Sequence, residues 1–322
     1  LGDGEALAVA SCDDGTLVAT QQATSGKRLH RLPRTGASRW LQIPGDADQF
    51  VQDIVCTSDG ALVGTHSTGG RAGWYTWSAP DRVTMWDADL EGAAGWRVGP
   101  AAQGWYLQRR RALAYMPAWS GYSYDIELLE RLDATGRVVW QHTGLVRLVS
   151  GGLTLRERPG YTVARWEGLE LHPVLRVEHS LPRKDPRSMI TPVWVDAFVQ
   201  RENGVVELVG QRPKHDKQLW LTSGTPGSTA RLQYTGAPSG EVRIGPDGRF
   251  WIASVDTEPT PRVRVGPVVD GTWRPTSELR AATVDLADLT MLPDSSAVVA
   301  VTVTGTVEVG GTRFEASNSE AL

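Results

Sequence analysis

The chain has 322 residues, 40% of them hydrophobic and 22% charged, with 33 Lys and Arg against 37 Asp and Glu for a net charge of −4, and with 35 Gly, 13 Trp and 2 Cys. These proportions exclude a disordered chain and a disulfide-stapled miniprotein, and no apolar run reaches the ~18 residues that a helical membrane span needs. A net charge this small gives no reason to expect a nucleic acid or a membrane surface as partner.

The chain opens Leu1-Gly2-Asp3-Gly4-Glu5, with no Met, basic region or apolar run, and so reads as a piece cut from a longer precursor. A hairpin pattern follows at once: Ala8-Val9-Ala10-Ser11-Cys12, the turn Asp13-Asp14-Gly15, then Thr16-Leu17-Val18-Ala19-Thr20. It recurs as Ile54-Val55-Cys56 and Ala61-Leu62-Val63 around Ser58-Asp59-Gly60. Weaker copies turn at Gln103-Gly104 and Ser150-Gly151-Gly152, and clear ones return at Asn203-Gly204, Asp247-Gly248 and Asp294-Ser295. The anchors 15, 60, 104, 152, 204, 248 and 295 are spaced by 45, 44, 48, 52, 44 and 47 residues. Asp-Gly and Asn-Gly between apolar runs supply the positive φ of a tight hairpin, and a period of ~40 to 50 residues with four short strands is that of a propeller blade.

The remaining strands are expected at 27–33 and 39–43 in the first repeat, 74–78 and 83–86 in the second, and 217–222 and 230–234 in the fifth. The segment 127–132 has helix-forming residues, but Gly136 and Val138-Val139-Trp140 follow directly, so it is also expected as strand. Thr35-Gly36-Ala37-Ser38-Arg39-Trp40 and Thr135-Gly136-Arg137-Val138-Val139-Trp140 share the form Thr-Gly-x-x-x-Trp, with a looser copy ending at Trp86. These tryptophans are expected to fill the wedges between blades. The fold class is therefore all-β, a seven-bladed β-propeller of four-stranded antiparallel blades forming a single domain over 1–322. The short last repeat is expected to borrow a strand from the N-terminal residues or to stay incomplete.

The segment Leu132-Asp133-Ala134-Thr135-Gly136-Arg137-Val138-Val139-Trp140 resembles the tryptophan-docking repeat of quinoprotein-type propellers, one residue short between Asp and Thr. Gly305-Thr306-Val307-Glu308-Val309-Gly310-Gly311-Thr312 is similar to the Gly-Gly-Thr segment of the SBBP-type bacterial β-propeller repeat. The resemblance implies a bacterial propeller architecture. It carries no quinone chemistry, because no inward set of quinone-binding residues accompanies it.

No catalytic or metal-binding set stands out, and neither a cofactor nor a metal is expected. His30, His66, His142, His172, His179 and His215 occupy no repeated position. Asp87-Ala88-Asp89-Leu90-Glu91-Gly92 does not complete a calcium loop. Ser11-x-Asp13-x-Gly15 matches the sialidase Asp-box only in part and reads as a turn. Cys12 and Cys56 stand three and four residues before their glycines, which places them on opposite faces of equivalent strands. Two free thiols are the expectation, and with them a cytoplasmic location.

Binding residues are expected on loops of one face. The insertion 109–124 combines Arg109, Arg110 and Arg111 with Tyr115, Trp119, Tyr122 and Tyr124, residue types that dominate protein interfaces. Arg183, Lys184, Arg212 and Lys214 fall on the same half-face, opposite a half carrying Asp3, Glu5, Asp285 and Asp288. A second insertion, 170–191, is the next candidate. The expected function is a non-catalytic protein–protein interaction platform, a recognition or regulatory domain whose partner is another protein or another domain of the same precursor. The alternatives are a propeller hydrolase or lyase with a central-channel site and a carbohydrate-binding propeller with a glycan ligand.

Overall fold

The computed structural model describes residues 2–13, 15–22, 26–43, 49–57, 60–67, 74–78, 82–86, 93–100, 105–112, 125–133, 137–144, 146–149, 152–157, 160–167, 170–178, 194–211, 218–230, 233–238, 240–257 and 259–321. The regular structure among these residues is entirely β-strand. They divide into two compact units, residues 1–148 with 300–302 and 319–322, and residues 149–299 with 303–318.

The first unit holds three four-stranded antiparallel sheets, each a meander in chain order. Sheet one runs Glu5–Cys12, Gly15–Gln22, Gly26–Pro33 and Arg39–Gln42; sheet two runs Gln49–Thr57, Gly60–Ser67, Trp74–Ser78 and Arg82–Trp86; sheet three runs Ala93–Pro100, Trp105–Ala112, Asp125–Leu132 and Val138–Gly144. The first strand of sheet one packs against the first strand of sheet two, and the first strand of sheet three packs against the first two strands of sheet two. Alternation decides which side chains meet. Ala8, Ala10, Leu17, Ala19 and Leu29 from one face of sheet one join Val51, Ile54 and Val63 of sheet two in a buried cluster. The N-terminal residues are also paired, Gly2 with Ala321 and Asp3 with Glu320, so the last strand does take a partner from the start of the chain.

Cys12 is disulfide-bonded, and Cys56 is the other of the sequence's two cysteines. This corrects the expectation of free thiols. Cys12 packs against the buried cluster in which sheet one meets sheet two, the sheet that carries Cys56, and packing of one sheet on the next joins positions that spacing within each strand does not relate.

Sheet four runs Val146–Val149, Gly152–Glu157, Gly160–Glu167 and Glu170–Glu178, and Thr229–Ala230 adds to its outer edge in parallel. Trp194–Gln200, Val206–Gln211, Gln218–Gly224 and Gln233–Pro238 form sheet five. A longer sheet then holds Gly240–Ile244, Phe250–Asp256, Arg262–Val269 and Ser277–Arg280, followed by the hairpin of Thr283–Met291 with Ala297–Val309. The pairs Leu279↔Val309 and Arg280↔Glu308 join these last two repeats into one sheet. Near-continuous burial fixes their order: Val163, Leu175, Val195, Phe198 and Leu208 make one cluster, and Val209, Leu219, Val242, Phe250, Ile252 and Trp273 another.

All seven turn anchors fall between, or at the border of, the first two strands of a meander. Three turns share one construction. Gly204 N donates to Arg201 O at 2.8 Å, Gly248 N to Gly245 O at 2.8 Å, and Ser295 N to Leu292 O at 3.0 Å. Asn203, Asp247 and Asp294 each accept, through Oδ1, the amide of the residue two further on. The residue at the turn's end has φ of 80° at Gly204, 73° at Gly248 and 67° at Ser295, so it is left-handed, and only Ser295 adopts this without being glycine. The first hairpin differs. Gly15 pairs with Cys12 and opens its strand in a near-extended conformation, where a Cβ would lie 2.3 Å from Leu32 O. Its glycine serves the close approach of the neighbouring strand, not a left-handed turn.

A second repeat exists in the backbone alone. The first strands are bulged between Ala6 and Ala8, Val51 and Asp53, Gly95 and Arg97, and Val195 and Ala197. The extra residues Leu7, Gln52, Trp96 and Asp196 each stand eight positions before an anchor. Each bulge therefore bends its strand at the same height above the hairpin.

Candidate functional site

Arg109, Arg110 and Arg111 lie within the strand Trp105–Ala112, not in a loop. They pair with Gly95, Ala94 and Ala93 on one side and with Leu128, Glu127 and Ile126 on the other. Tyr115, Trp119, Tyr122, Tyr124, Arg183, Lys184, Arg212 and Lys214 lie outside the described residues, as do the acidic run 87–92, His179 and His215. Of the acidic half, Glu5 and Asp285 are exposed. Asp288 is buried and forms an ion pair with Arg243, so it is not part of an open acidic surface. Among the described residues, no cluster of three or more His, Cys, Asp or Glu is arranged to hold a metal.

The structure instead brings aromatic and basic residues together on the outer strand of sheet one. In the register of Gly26–Pro33 with Arg39–Gln42, Arg28 stands opposite Gln42 and His30 opposite Trp40. Arg28, His30, Trp40 and Gln42 therefore share a face. The Arg28 guanidinium carbon sits 4.2 Å from the Trp40 ring centroid, a cation–π stack. Trp40 is 53% exposed, which overturns the expectation that it fills a wedge between sheets. Among the described residues no strand pairs with the outer side of Arg39–Gln42, where the indole is left open. Arg34 and Arg39, near it in sequence, are exposed.

Inward of this rim, His30 is buried and its Nε2 lies 3.0 Å from Thr20 Oγ1. Burial, with Arg28 nearby, holds the imidazole below its usual value of 6.5. The folded protein thus binds a proton at His30 less readily than the unfolded chain, and His30 contributes a stability that is complete above pH ~6.5 and lost as pH falls below it. The gap in urea midpoint between the wild type and His30→Gln is expected to narrow from pH 8 to pH 5. A gap constant across that range would contradict the assignment.

The other copy of the Thr-Gly-x-x-x-Trp motif behaves alike. Val138 is 42% and Val139 52% exposed on the strand Val138–Gly144, and the Trp140 ring stacks on His142 with centroids 5.9 Å apart. Asp133 Oδ1 accepts the Arg137 amide at 3.0 Å and fixes the turn into this strand. Trp86, the loose third copy, has no side chain among the described residues.

Sequence reasoning missed a network in the second unit. Arg262 stands opposite Asp256 and Arg264 opposite Glu278 in register. Asp256 accepts from Arg262 at 2.8 Å and from Arg264 at 3.2 Å, and Glu278 pairs with Arg262 at 3.6 Å and with Arg280. Arg264 also stacks on Trp273, at 5.0 Å, whose Nε1 donates to Gly266 O. The alternation of Arg262 and Arg264 was visible, but their carboxylate partners are fixed by strand register, which the hydrophobic pattern does not reveal.

No protein-family model and no curated protein matches the chain. Solved structures similar to it include KlHsv2 with loop 6CD replaced by a Gly-Ser linker, at 10% identity and TM-score 0.49 over 97% of this chain and 99% of that one. A triple arginine-to-alanine mutant of AofleA from Arthrobotrys oligospora is similar at 10% identity and TM-score 0.48, over 99% of this chain and 88% of that one. The Neurospora crassa Pan2 WD40 domain is similar at 10% identity and TM-score 0.48, over 93% and 86%.

Proposed function

We propose that the chain is a non-catalytic interaction module, a single seven-bladed β-propeller that docks another protein or another domain of its precursor. The observation that carries this reading is the exposed Trp40, stacked on Arg28. An indole held open to solvent by a guanidinium is costly unless a partner covers it, and Trp and Arg are the residues that anchor interfaces. The Arg109 to Tyr124 segment supplies the same residue types and is proposed as a second part of the docking surface. The basic residues of this set favour a protein partner carrying acidic groups. The Cys12 disulfide supports an oxidising compartment in place of the cytoplasm that free thiols implied.

Affinity capture from cells of the source, followed by mass spectrometry, tests this with Trp40→Ala, Trp119→Ala and Arg110→Ala. Each substitution is expected to deplete the same specific partner at least tenfold while leaving the melting temperature within a few degrees. Partner recovery indifferent to all three sinks the docking surface. Retention of the wild type on a glycan array, lost in Trp40→Ala, turns the reading to the carbohydrate alternative, which the open indole face beside Gln42 favours.

A further inference from the structure

We infer that the outer edge of Val138–Gly144 is a docking edge for an extended segment of a protein partner, added as a fifth strand parallel to it. This rests on the interaction-module reading only in taking a polypeptide as the ligand.

A fourth strand at the rim of a sheet leaves every second amide and carbonyl without a strand partner, and natural edges are protected by charged residues, Pro, β-bulges or a covering segment. The other outer strands follow that rule. Arg39–Gln42 and Arg82–Trp86 begin on arginine, Gln233–Pro238 ends on proline, and Ser277–Arg280 is paired with Ala297–Val309. Val138–Gly144 reads Val-Val-Trp-Gln-His-Thr-Gly, with no charged residue and no Pro, and its bulge at Val139 is matched by one at Val174 of Glu170–Glu178, which is covered all the same. It pairs with Asp125–Leu132 on its inner side and with no other strand among the described residues. Val138 and Val139 point to opposite faces, and both are exposed.

The molecule itself shows how such an edge is filled. The equivalent outer strand of sheet four, Glu170–Glu178, is covered by Thr229–Ala230 in parallel, in the register Arg176↔Thr229 and Val177↔Ala230. Gly227 N donates to Val174 O at 3.1 Å and Arg176 N to Ser228 O at 3.3 Å. The covering residues Gly227, Ser228, Thr229 and Ala230 are small and uncharged. The same stereochemistry at Val138–Gly144 sets a partner strand beside Val139 and Gln141 with its N-terminal end next to the exposed Arg137. The occupant is thus an extended segment of small or β-branched residues with a carboxylate at its N-terminal end.

The probe is a fluorescein-labelled synthetic heptapeptide, Glu followed by alternating Val and Thr, read by fluorescence polarisation against the whole chain. Controls are a version with Lys in place of Glu and a version N-methylated at alternate amides. The Glu peptide is expected to bind at least tenfold more tightly than either control. Val139→Lys should weaken it at least tenfold, and Arg137→Glu should invert the preference between Glu and Lys peptides. Arg137 precedes the strand, so its variant decides the matter should Val139→Lys fail to fold. Three results overturn the inference: no binding of the Glu peptide, equal binding of the N-methylated peptide, or a wild-type dimer in light scattering that Val139→Lys dissolves, which assigns the edge to a second copy. Absent peptide binding with Trp40-dependent capture intact removes the edge and leaves the interaction module standing.

Discussion

Replacing Cys12 with serine is expected to lower the unfolding free energy by about 3 kcal/mol, and a reductant should do the same to the unmodified protein. The bridge to Cys56 closes a loop of about 44 residues, whose lost freedom in the unfolded chain corresponds to about 4 kcal/mol in the loop-entropy account, with typical measured values of about 2–4 kcal/mol. Cys12 packs against a core in which Ala8, Ala10 and Ala19 offer little apolar area each, so the cross-link adds to a modest burial there. Urea titrations with and without dithiothreitol make the measurement. A wild-type midpoint indifferent to reductant, or a Cys12→Ser protein still sensitive to it, rules out the staple.

Asp288→Ala should cost about 2–4 kcal/mol, against less than half of that for Arg243→Ala. The Asp288 side chain is 8% exposed, accepts from Arg243, which is 29% exposed, and takes the Leu289 amide at 2.8 Å. Deleting the buried acid leaves the guanidinium, which also meets Glu241 and the Val242 carbonyl, in a site shaped for two charges. Deleting the arginine strands a carboxylate that still holds a backbone amide and can admit water along the emptied side chain. The asymmetry, more than either magnitude, identifies the pair as one that links Gly240–Ile244 to Thr283–Met291. Equal costs for the two variants, measured by denaturant unfolding, would show that the contact contributes only as a surface pair.

The hairpin period was legible because Asx-Gly turns are a local signal: the anchors at 204, 248 and 295 carry the same side-chain-to-backbone bond that the residue types foretell. Strand positions followed from alternation, as at 74–78, which is occupied as expected by Trp74–Ser78. The bulges at Leu7, Gln52, Trp96 and Asp196 left no mark, since a bulge is a relation between two strands and these four residues share no chemistry. Tryptophan position was readable and tryptophan direction was not, because whether Trp40 packs or projects depends on what lies beyond the fourth strand. The cysteines show the same limit from the other side. Their spacing was readable within each strand, but whether two cysteines meet is decided by which sheet packs on which. The Arg243–Asp288 pair joins residues 45 apart and belongs to the same class of information. Where a site is built from register and stacking, local pattern names its residues without saying which of them meet.

The antiparallel rungs Gly2↔Ala321 and Asp3↔Glu320 bear on how this molecule responds to load. Both chain ends leave the pair on the same side, so a force drawing them apart meets one rung at a time, as in opening a zipper, and not all rungs together in shear. Tension from anything attached at either end is then borne first by two backbone rungs, while the disulfide from Cys12 lies further along the chain and stays unloaded until they have opened. The seam is the place where pulling begins to undo the fold, and the cross-link is where that undoing is checked.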